Sequence, residues 1–367
     1  MLQSIEIAGY RSIREMSLPL GNLTVVTGAN GVGKTNFYRS LALIHAAATG
    51  NLSAAVGMEG GMRSMLWAGI SGEHAAQEVR LSADIDGLRY TLRLGLPSAG
   101  EPALALDPVV REESVVAHVD GREPLMLQRK GPGINARGPD GGWQSYPNML
   151  LMAETALARL RDPHQFPELD VLQRRFEDWR FFHGFRTDDA SPLRQPRVAV
   201  CSPSLDSDGE NLPSVLATAL HLGGEEGRNL INWAVNEAFP GSTLEFIEAA
   251  GRYSPALRTP EFERPFAAHE MSDGTLRYLC LAAALCSFRL PGFIALNEPE
   301  SSLHEELIAP LAAMIVKAAS SAQIVVVTHS TRLASILEAH GEARWIALEK
   351  ENGATVPLTT AAQRMAI

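Results

Sequence analysis

Cysteine is scarce: three residues in a chain of 367, at positions 201, 280 and 286, with no C-x-x-C spacing. That excludes a disulfide scaffold and argues against a thiolate metal site. Cys201, Cys280 and Cys286 sit in apolar or helical contexts and read as buried free thiols of a reducing compartment. Long apolar runs are also missing. Stretches such as Leu279 to Phe288 fall far short of the roughly 18 residues that a transmembrane helix needs. The opening MLQSIEIAGYRSI alternates like a strand and has no signal-peptide core. These absences predict a cytoplasmic protein without a membrane partner. Basic excess is lacking as well. A net charge of −10 argues against a whole-surface nucleic-acid binder, although a local basic strip stays open. No internal repeat and no long heptad run appears. With 46% hydrophobic and 20% charged residues, the chain suits one large α/β domain with insertions, or two domains.

What is present begins with Gly28-Ala29-Asn30-Gly31-Val32-Gly33-Lys34-Thr35. The run fits G-x-x-x-x-G-K-[ST], the loop that wraps the phosphates of ATP or GTP. Leu23 to Thr27 before it is short and β-branched, as a buried parallel strand should be. Asn36 to Ala48 after it places Phe37, Leu41, Leu43 and Ile44 on one stripe of a helix. Backbone N–H groups and the positive helix end would face the phosphates. Lys34 would neutralise the β- and γ-phosphates, and Thr35 would offer its hydroxyl to Mg²⁺.

Residues 2–27 read as three strands. From about 51 to 150 the pattern turns antiparallel, with strands over Val79–Ile85, Tyr90–Leu94 and Ser114–His118. Lys130 to Gly142 holds five glycines and two prolines and reads as a mobile loop. Met149–Arg161 and part of Val171–Phe181 read as helical, Val198–Cys201 as a short strand, and Asn211–Leu222 and Arg228–Phe239 as helices. After residue 270 helices alternate regularly with strands Phe293–Leu296, Ile324–Thr328 and Arg344–Glu349, the rhythm of a parallel sheet.

The strand Phe293–Leu296 runs into Asn297-Glu298-Pro299-Glu300. In a phosphate-loop enzyme such a strand end reaches the metal and the attacking water, so Glu298 is read as general base or water-orienting group. The next strand delivers His329 to the same kind of edge, where it can hydrogen-bond the γ-phosphate or the water. Ser272-Asp273-Gly274 opens a helix and forms either an anion site or an ordinary N-cap.

In order and spacing these elements resemble the ABC-type ATPase heads of the SMC, RecF and OLD group. The chain is most similar to stand-alone bacterial AAA family (AAA_21-like) ATPases. Ile5 to Ile13, the loop extended to Asn36, Met271 to Leu279, Leu296 to His304 and Val325 to Ser330 carry the likeness. It implies two copies sandwiching two ATP molecules with Mg²⁺. On that basis residues 28–36 bind the nucleotide, while Ser272 and Gly274 contact the γ-phosphate held by the other copy. Glu298 would be the catalytic glutamate, Ser301–Leu303 the coupling loop and His329 the switch histidine. Where the family has aspartate at the metal, this chain has Asn297, which implies weaker metal binding or slow turnover. The Mg²⁺-contacting glutamine of such heads is not assigned.

His304-Glu305-Glu306-Leu307-Ile308 lacks the second histidine of a zinc helix. With 38 residues after His329, the nuclease domain that OLD-type proteins carry is not expected. Arginines 159, 161, 174, 175, 180, 186, 194 and 197 stand beside as many carboxylates, so a salt-bridged surface is favoured over a DNA strip. The expected fold is an α/β P-loop NTPase with a mostly parallel sheet, an antiparallel β insertion and a helical lobe. Residues 1–50 and 198–367 would form a discontinuous core, with 205–275 as signature lobe. Residues 51–150 would be the β-rich insertion, and 151–197 a helical, arginine-containing connection. The expected function is Mg²⁺-dependent ATP hydrolysis by a homodimer, in DNA maintenance or antiphage defence, with DNA or an effector protein as further partner. The alternative is an ATP-dependent dimerisation switch with little hydrolysis. A transporter subunit fits less well, because Ser272 lacks the following glutamine and the β insertion is large.

Overall fold

The computed structural model describes residues 1–69, 78–97, 106–341 and 343–358. Strands β1 (Leu2–Tyr10), β2 (Ile13–Pro19) and β3 (Leu23–Thr27) precede the helix Lys34–Ala48. Then come β4 (Glu78–Ile85), β5 (Leu88–Gly95), β6 (Val109–Ala117), β7 (Leu125–Lys130), β8 (Gly133–Arg137) and β9 (Trp143–Tyr146). The remaining strands are β10 (Trp179–Phe182), β11 (Thr243–Ala249), β12 (Arg252–Arg258), β13 (Phe266–Ala267) and β14 (Phe293–Asn297). β15 (Gln323–Val327), β16 (Arg344–Glu351) and β17 (Ala354–Pro357) follow. The chain divides into two compact units. The first holds Met1–Gly21, Val26–Trp179 and the chain from Trp345; the second holds Asn22–Val25 and Arg180–Arg344.

In the first unit an antiparallel sheet runs β2-β1-β4-β5-β6-β7-β8-β9. Ile5 and Ile7 of β1 sit opposite Leu18 and Met16 on one side and Ala83 and Leu81 on the other. The alternation of β5, with Leu88, Tyr90, Leu92 and Leu94 buried, follows from the period of two that puts one face on the core. Asp86 and Gly87 link β4 to β5 with φ of 49° and 81°, the left-handed pair that a two-residue hairpin requires. Asn352 and Gly353 do the same between β16 and β17. The helix Lys34–Ala48 buries Phe37, Leu41, Leu43 and Ile44, the stripe its sequence predicts.

Three expectations fail, two in this unit and one, Val198–Cys201, in the second. Lys130–Gly142 is not a loop but the β7–β8 hairpin and the lead into β9, with Ile134 and Ala136 turned inward. Its glycines serve the turns: Gly131 and Gly141 have φ of 61° and 80°. Met149–Arg161 is helical only over Ala156–Arg159. The buried Arg129 guanidinium accounts for that, since it donates to the carbonyls of Leu151, Met152 and Glu154, which a helix would have used itself. Val198–Cys201 forms no strand. Val198 and Val200 are each 61% exposed, and Ser214 Oγ and Thr218 Oγ1 accept the N–H groups of Val200 and Ser202 in place of a ladder. Cys201 is correspondingly exposed, while Cys280 and Cys286 are buried as expected.

In the second unit β14 and β15 pair in parallel, Asn297 opposite Val327, and every residue of both is buried. Ile324 N–H donates to Asn22 O, which sets β15 against the start of β3. Helices Asp273–Leu285 and Ile308–Ala319 bury most of their residues. Tyr278 donates to Ala234 O at 2.7 Å and so fixes the helix Gly224–Ala238 on this core. Of the arginines noted above, 159, 161, 174, 175, 186, 194 and 197 each pair with a carboxylate. No described helix is long and apolar enough to cross a membrane.

Glu113 on β6 is fully buried, and its carboxylate accepts from Ala156 N at 2.5 Å, Leu157 N at 2.9 Å and the Tyr90 hydroxyl at 3.1 Å. Burial pushes its carboxyl above the ordinary range, against the pull of those bonds and of Arg129. Glu113→Ala strands three donors and should cost about 3 kcal/mol in urea unfolding. Glu113→Gln keeps an acceptor and should cost markedly less.

Candidate functional site

The phosphate-loop motif lies in the first unit, where Gly28, Gly31 and Gly33 have φ of 150°, 79° and 107°. Gly33 is the tightest position. A Cβ there would lie 2.1 Å from Thr355 Oγ1 and 2.6 Å from Ser12 Oγ. At Gly28 it would meet Leu348 O at 2.4 Å and Val32 Cγ2 at 2.9 Å. At Gly31 it would meet nothing within 4 Å, so that side of the loop is open. Lys34 is buried, and its ammonium donates to Gly28 O at 2.7 Å and Ala29 O at 3.0 Å. The side chain is thus folded back over the loop, and its charge sits among the backbone groups of residues 28–33. Ala29, Asn30 and Gly31 are exposed, Val32 is buried, and Thr35 is half-buried at the helix start.

A chain of hydrogen bonds supports the loop from behind. Asn36 Nδ2 donates to Ser12 Oγ at 2.7 Å, Ser12 Oγ lies 2.7 Å from Thr355 Oγ1, and Thr355 Oγ1 donates to Val32 O at 2.6 Å. Because the Thr355 proton is spent on Val32, Ser12 is the donor to Thr355. Thr355 N–H in turn donates to Ser12 O. Ser12 lies in the quoted opening motif, but nothing local in the sequence links it to Thr355.

The acidic strand end and the histidine lie in the second unit. Glu298 follows β14 with φ of 50°, and its N–H donates to Val327 O at 2.7 Å. That left-handed kink turns the strand out of the sheet. The Glu298 carboxylate is 3.5 Å from His329 Nδ1. Asn297 is buried; its Nδ2 lies 2.7 Å from His183 Nδ1, and its Oδ1 is buried without a hydrogen-bond partner. Glu300, buried, accepts at Oε1 from Thr328 Oγ1, His329 N and Ser330 N. Sequence reasoning quoted Glu300 but gave it no part.

Ser272 caps the helix Asp273–Leu285, its Oγ accepting from Thr275 N at 3.1 Å, so the ordinary N-cap is realised. A Cβ on Gly274 would lie 3.2 Å from Ser302 O, and Arg277 donates to Ser301 O. The serine turn and residues 301–303 are therefore adjacent. Arg194, buried, secures the approach to the turn. It donates to Met271 O at 2.8 Å and Asp273 Oδ1 at 2.6 Å, and also to Thr187 O at 2.9 Å. Among the described residues no cluster of three or more His, Cys, Asp or Glu forms a metal site.

A strand, a positive-φ glycine loop with buried lysine, and a buried helix, with a parallel strand pair ending in acid and histidine, define a P-loop NTPase of mixed α/β fold. The chain belongs to the family described as "AAA domain, putative AbiEii toxin, Type IV TA system", whose model matches residues 23–335. The match runs through the middle of the chain, where the motifs alone gave little. In fold the chain is similar to an SMC head bound to the C-winged helix domain of ScpA, at 16% identity and a TM-score of 0.55, covering 99% of each chain. It is also similar to the Smc head from Pyrococcus furiosus with an extended coiled coil, bound to the C-terminal domain of ScpA, at 14% identity and TM-score 0.54. That likeness covers 99% of this chain and 97% of the other. A Smc head with coiled coil and joint from Pyrococcus yayanosii follows at 13% and 0.50, covering 98% and 96%. No curated protein matches the sequence.

Thr355→Val removes the hydroxyl that serves Val32 O and leaves that buried carbonyl unmet, for about 2 kcal/mol by urea unfolding. Thr355→Ser should be close to neutral. The valine variant should also bind a fluorescent ATP analogue more weakly, because the loop loses its support.

Proposed function

We propose that the chain binds ATP with Mg²⁺ in the loop Gly28–Asn36 and hydrolyses it, two copies closing on the nucleotide. The observation that carries this is the loop. Its glycines occupy left-handed conformations, and a buried Lys34 ammonium rests on the loop's own carbonyls, ready to exchange them for phosphate oxygens. Two side chains have the chemistry to fit the metal. Thr35 supplies a hydroxyl at the helix start, and the buried, unpartnered Asn297 Oδ1 is an acceptor that a metal-held water could satisfy. When bound, Mg²⁺ would offset charge on the β- and γ-phosphates.

Glu298 accepts a proton as a water oxygen forms its bond to the γ-phosphorus and the bond from phosphorus to the ADP oxygen breaks. His329 donates to a γ-phosphate oxygen or holds the water. The Ser272 hydroxyl and the Gly274 N–H serve the γ-phosphate of the other copy, so ATP would hold the pair together and its hydrolysis release it. DNA and an effector protein remain the candidate partners, in DNA maintenance or in defence. Two of the SMC heads described above are bound to parts of ScpA, and the family description names a type IV toxin–antitoxin system. These support a protein partner.

A second reading, the ATP-held switch with little turnover, rests on Asn297. A neutral amide tied to His183 holds a metal shell less strongly than a carboxylate does. Steady-state phosphate release from ATP, with and without double-stranded DNA, separates the two. Lys34→Ala should abolish release and binding, a loss of at least about 100-fold on the loss of phosphate stabilisation. Glu298→Gln should keep ATP binding and lose release. Asn297→Asp should raise turnover at low Mg²⁺. Tight ATP binding with no measurable release in the native chain would favour the switch. Sedimentation with and without ATP tests the pairing.

A further inference from the structure

Glu300 has no part in the mechanism above, yet its environment is unusual for a carboxylate at a strand end. It is buried, and one oxygen, Oε1, gathers three donors from a single turn: Thr328 Oγ1 at 2.5 Å, His329 N at 3.3 Å and Ser330 N at 3.2 Å. Thr328 Oγ1 also accepts from Ser330 N at 2.9 Å, so the hydroxyl and the carboxylate grip the turn together. Oε2 is buried and makes no hydrogen bond, so the whole of the carboxylate's hydrogen bonding is committed to residues 328–330. His329 itself is 44% exposed, its ring 3.5 Å from Glu298 Oε1 and 3.6 Å from Glu300 Oε1. A side chain so exposed has little packing to hold it. Two carboxylates face its ring, and its backbone is held by Glu300.

We propose that Glu300 is a positioning residue that sets His329 against Glu298 by holding the turn 328–330. The proposal rests on the reading of Glu298 and His329 as the pair acting on ATP. Glu300 acts through the histidine, by its bonds to the turn that carries it. A carboxamide can supply the same acceptor, so what the turn needs is the oxygen and not the charge. Losses on removing Glu300 and His329 should therefore fail to multiply, because both remove one function.

Two measurements on the full chain test this. Hydrogen exchange of the His329 and Ser330 amides, without nucleotide, should speed up at least about tenfold in Glu300→Ala and change little in Glu300→Gln, as loss of a hydrogen-bonded acceptor predicts. Phosphate release should fall in kcat for Glu300→Ala about as far as for His329→Ala, with KM moved less than about threefold, and recover in Glu300→Gln. The double variant should be no worse than His329→Ala. Thr328→Val, which removes the shortest of the three bonds, should show the same pattern more weakly and serves if Glu300→Ala does not fold. Unchanged exchange in Glu300→Ala, or losses that multiply in the double variant, would overturn the proposal. If the native chain releases no phosphate, the ATPase reading fails, and exchange alone then decides whether Glu300 holds the turn.

Discussion

At Gly33 the phosphate loop lies so near Thr355 and Ser12 that one added carbon would overlap both, at 2.1 and 2.6 Å. Much of the first unit is arranged around that approach. The hairpin β16–β17 brings Thr355 under the loop, the turn after β1 brings Ser12 beside it, and Asn36 closes the chain of bonds from the first turn of the helix. Residues 343 positions apart in sequence are thereby joined through two hydroxyls. A loop with three left-handed glycines has high conformational entropy when free. The hydroxyl chain and the close contact remove that freedom beforehand, which is what a phosphate-binding loop needs if binding energy is not to be consumed in ordering it.

The same economy appears in the buried charges. Arg129, Arg194 and Glu300 each direct most of their bonds to the backbone of an irregular segment, and Glu113 takes the first N–H groups of the helix Ala156–Arg159. Buried backbone N–H and C=O groups outside helices and sheets must find partners, and a multivalent side chain supplies several at once. The segments 151–154, 268–273 and 328–330 take definite shapes in this way without being regular structure. Two of the three adjoin motifs: the serine turn at 272–274 and the histidine at 329. The irregular backbone near the motifs is thus built, residue by residue, from long-range side-chain bonds.

This explains which parts were legible in the sequence. The strand Leu23–Thr27, the glycine loop and the helix stripe of Phe37, Leu41 and Ile44 are written in local spacing, and the turns Asp86-Gly87 and Asn352-Gly353 in local conformational preference. Lys130–Gly142 misled because its glycines and prolines outnumber the inward-facing Ile134 and Ala136 that define β8. Met149–Arg161 misled because the residue that unwinds it, Arg129, is more than twenty positions away. Val198–Cys201 misled because Val198 and Val200 face solvent, while Ser214 takes the N–H of Val200 and Thr218 that of Ser202 just beyond. The balance of arginine and acid between 154 and 197 was legible as paired charge. Which acid meets which arginine was not, and Arg175 finds Asp86 from a distant hairpin.

By itself the sequence determined the chemistry available: a phosphate loop with Lys34 and Thr35, an amide and a glutamate at one strand end, a histidine at the next. Those are properties of residue type and of spacing within one element, and they follow from covalent geometry and local periodicity. Tertiary structure decided what holds them: Thr355 and Ser12 beneath Gly33, Arg194 behind the serine turn, Glu300 under His329. Each of these is a hydrogen bond or close contact between segments far apart in the chain, and no local pattern specifies a partner that only folding brings within reach.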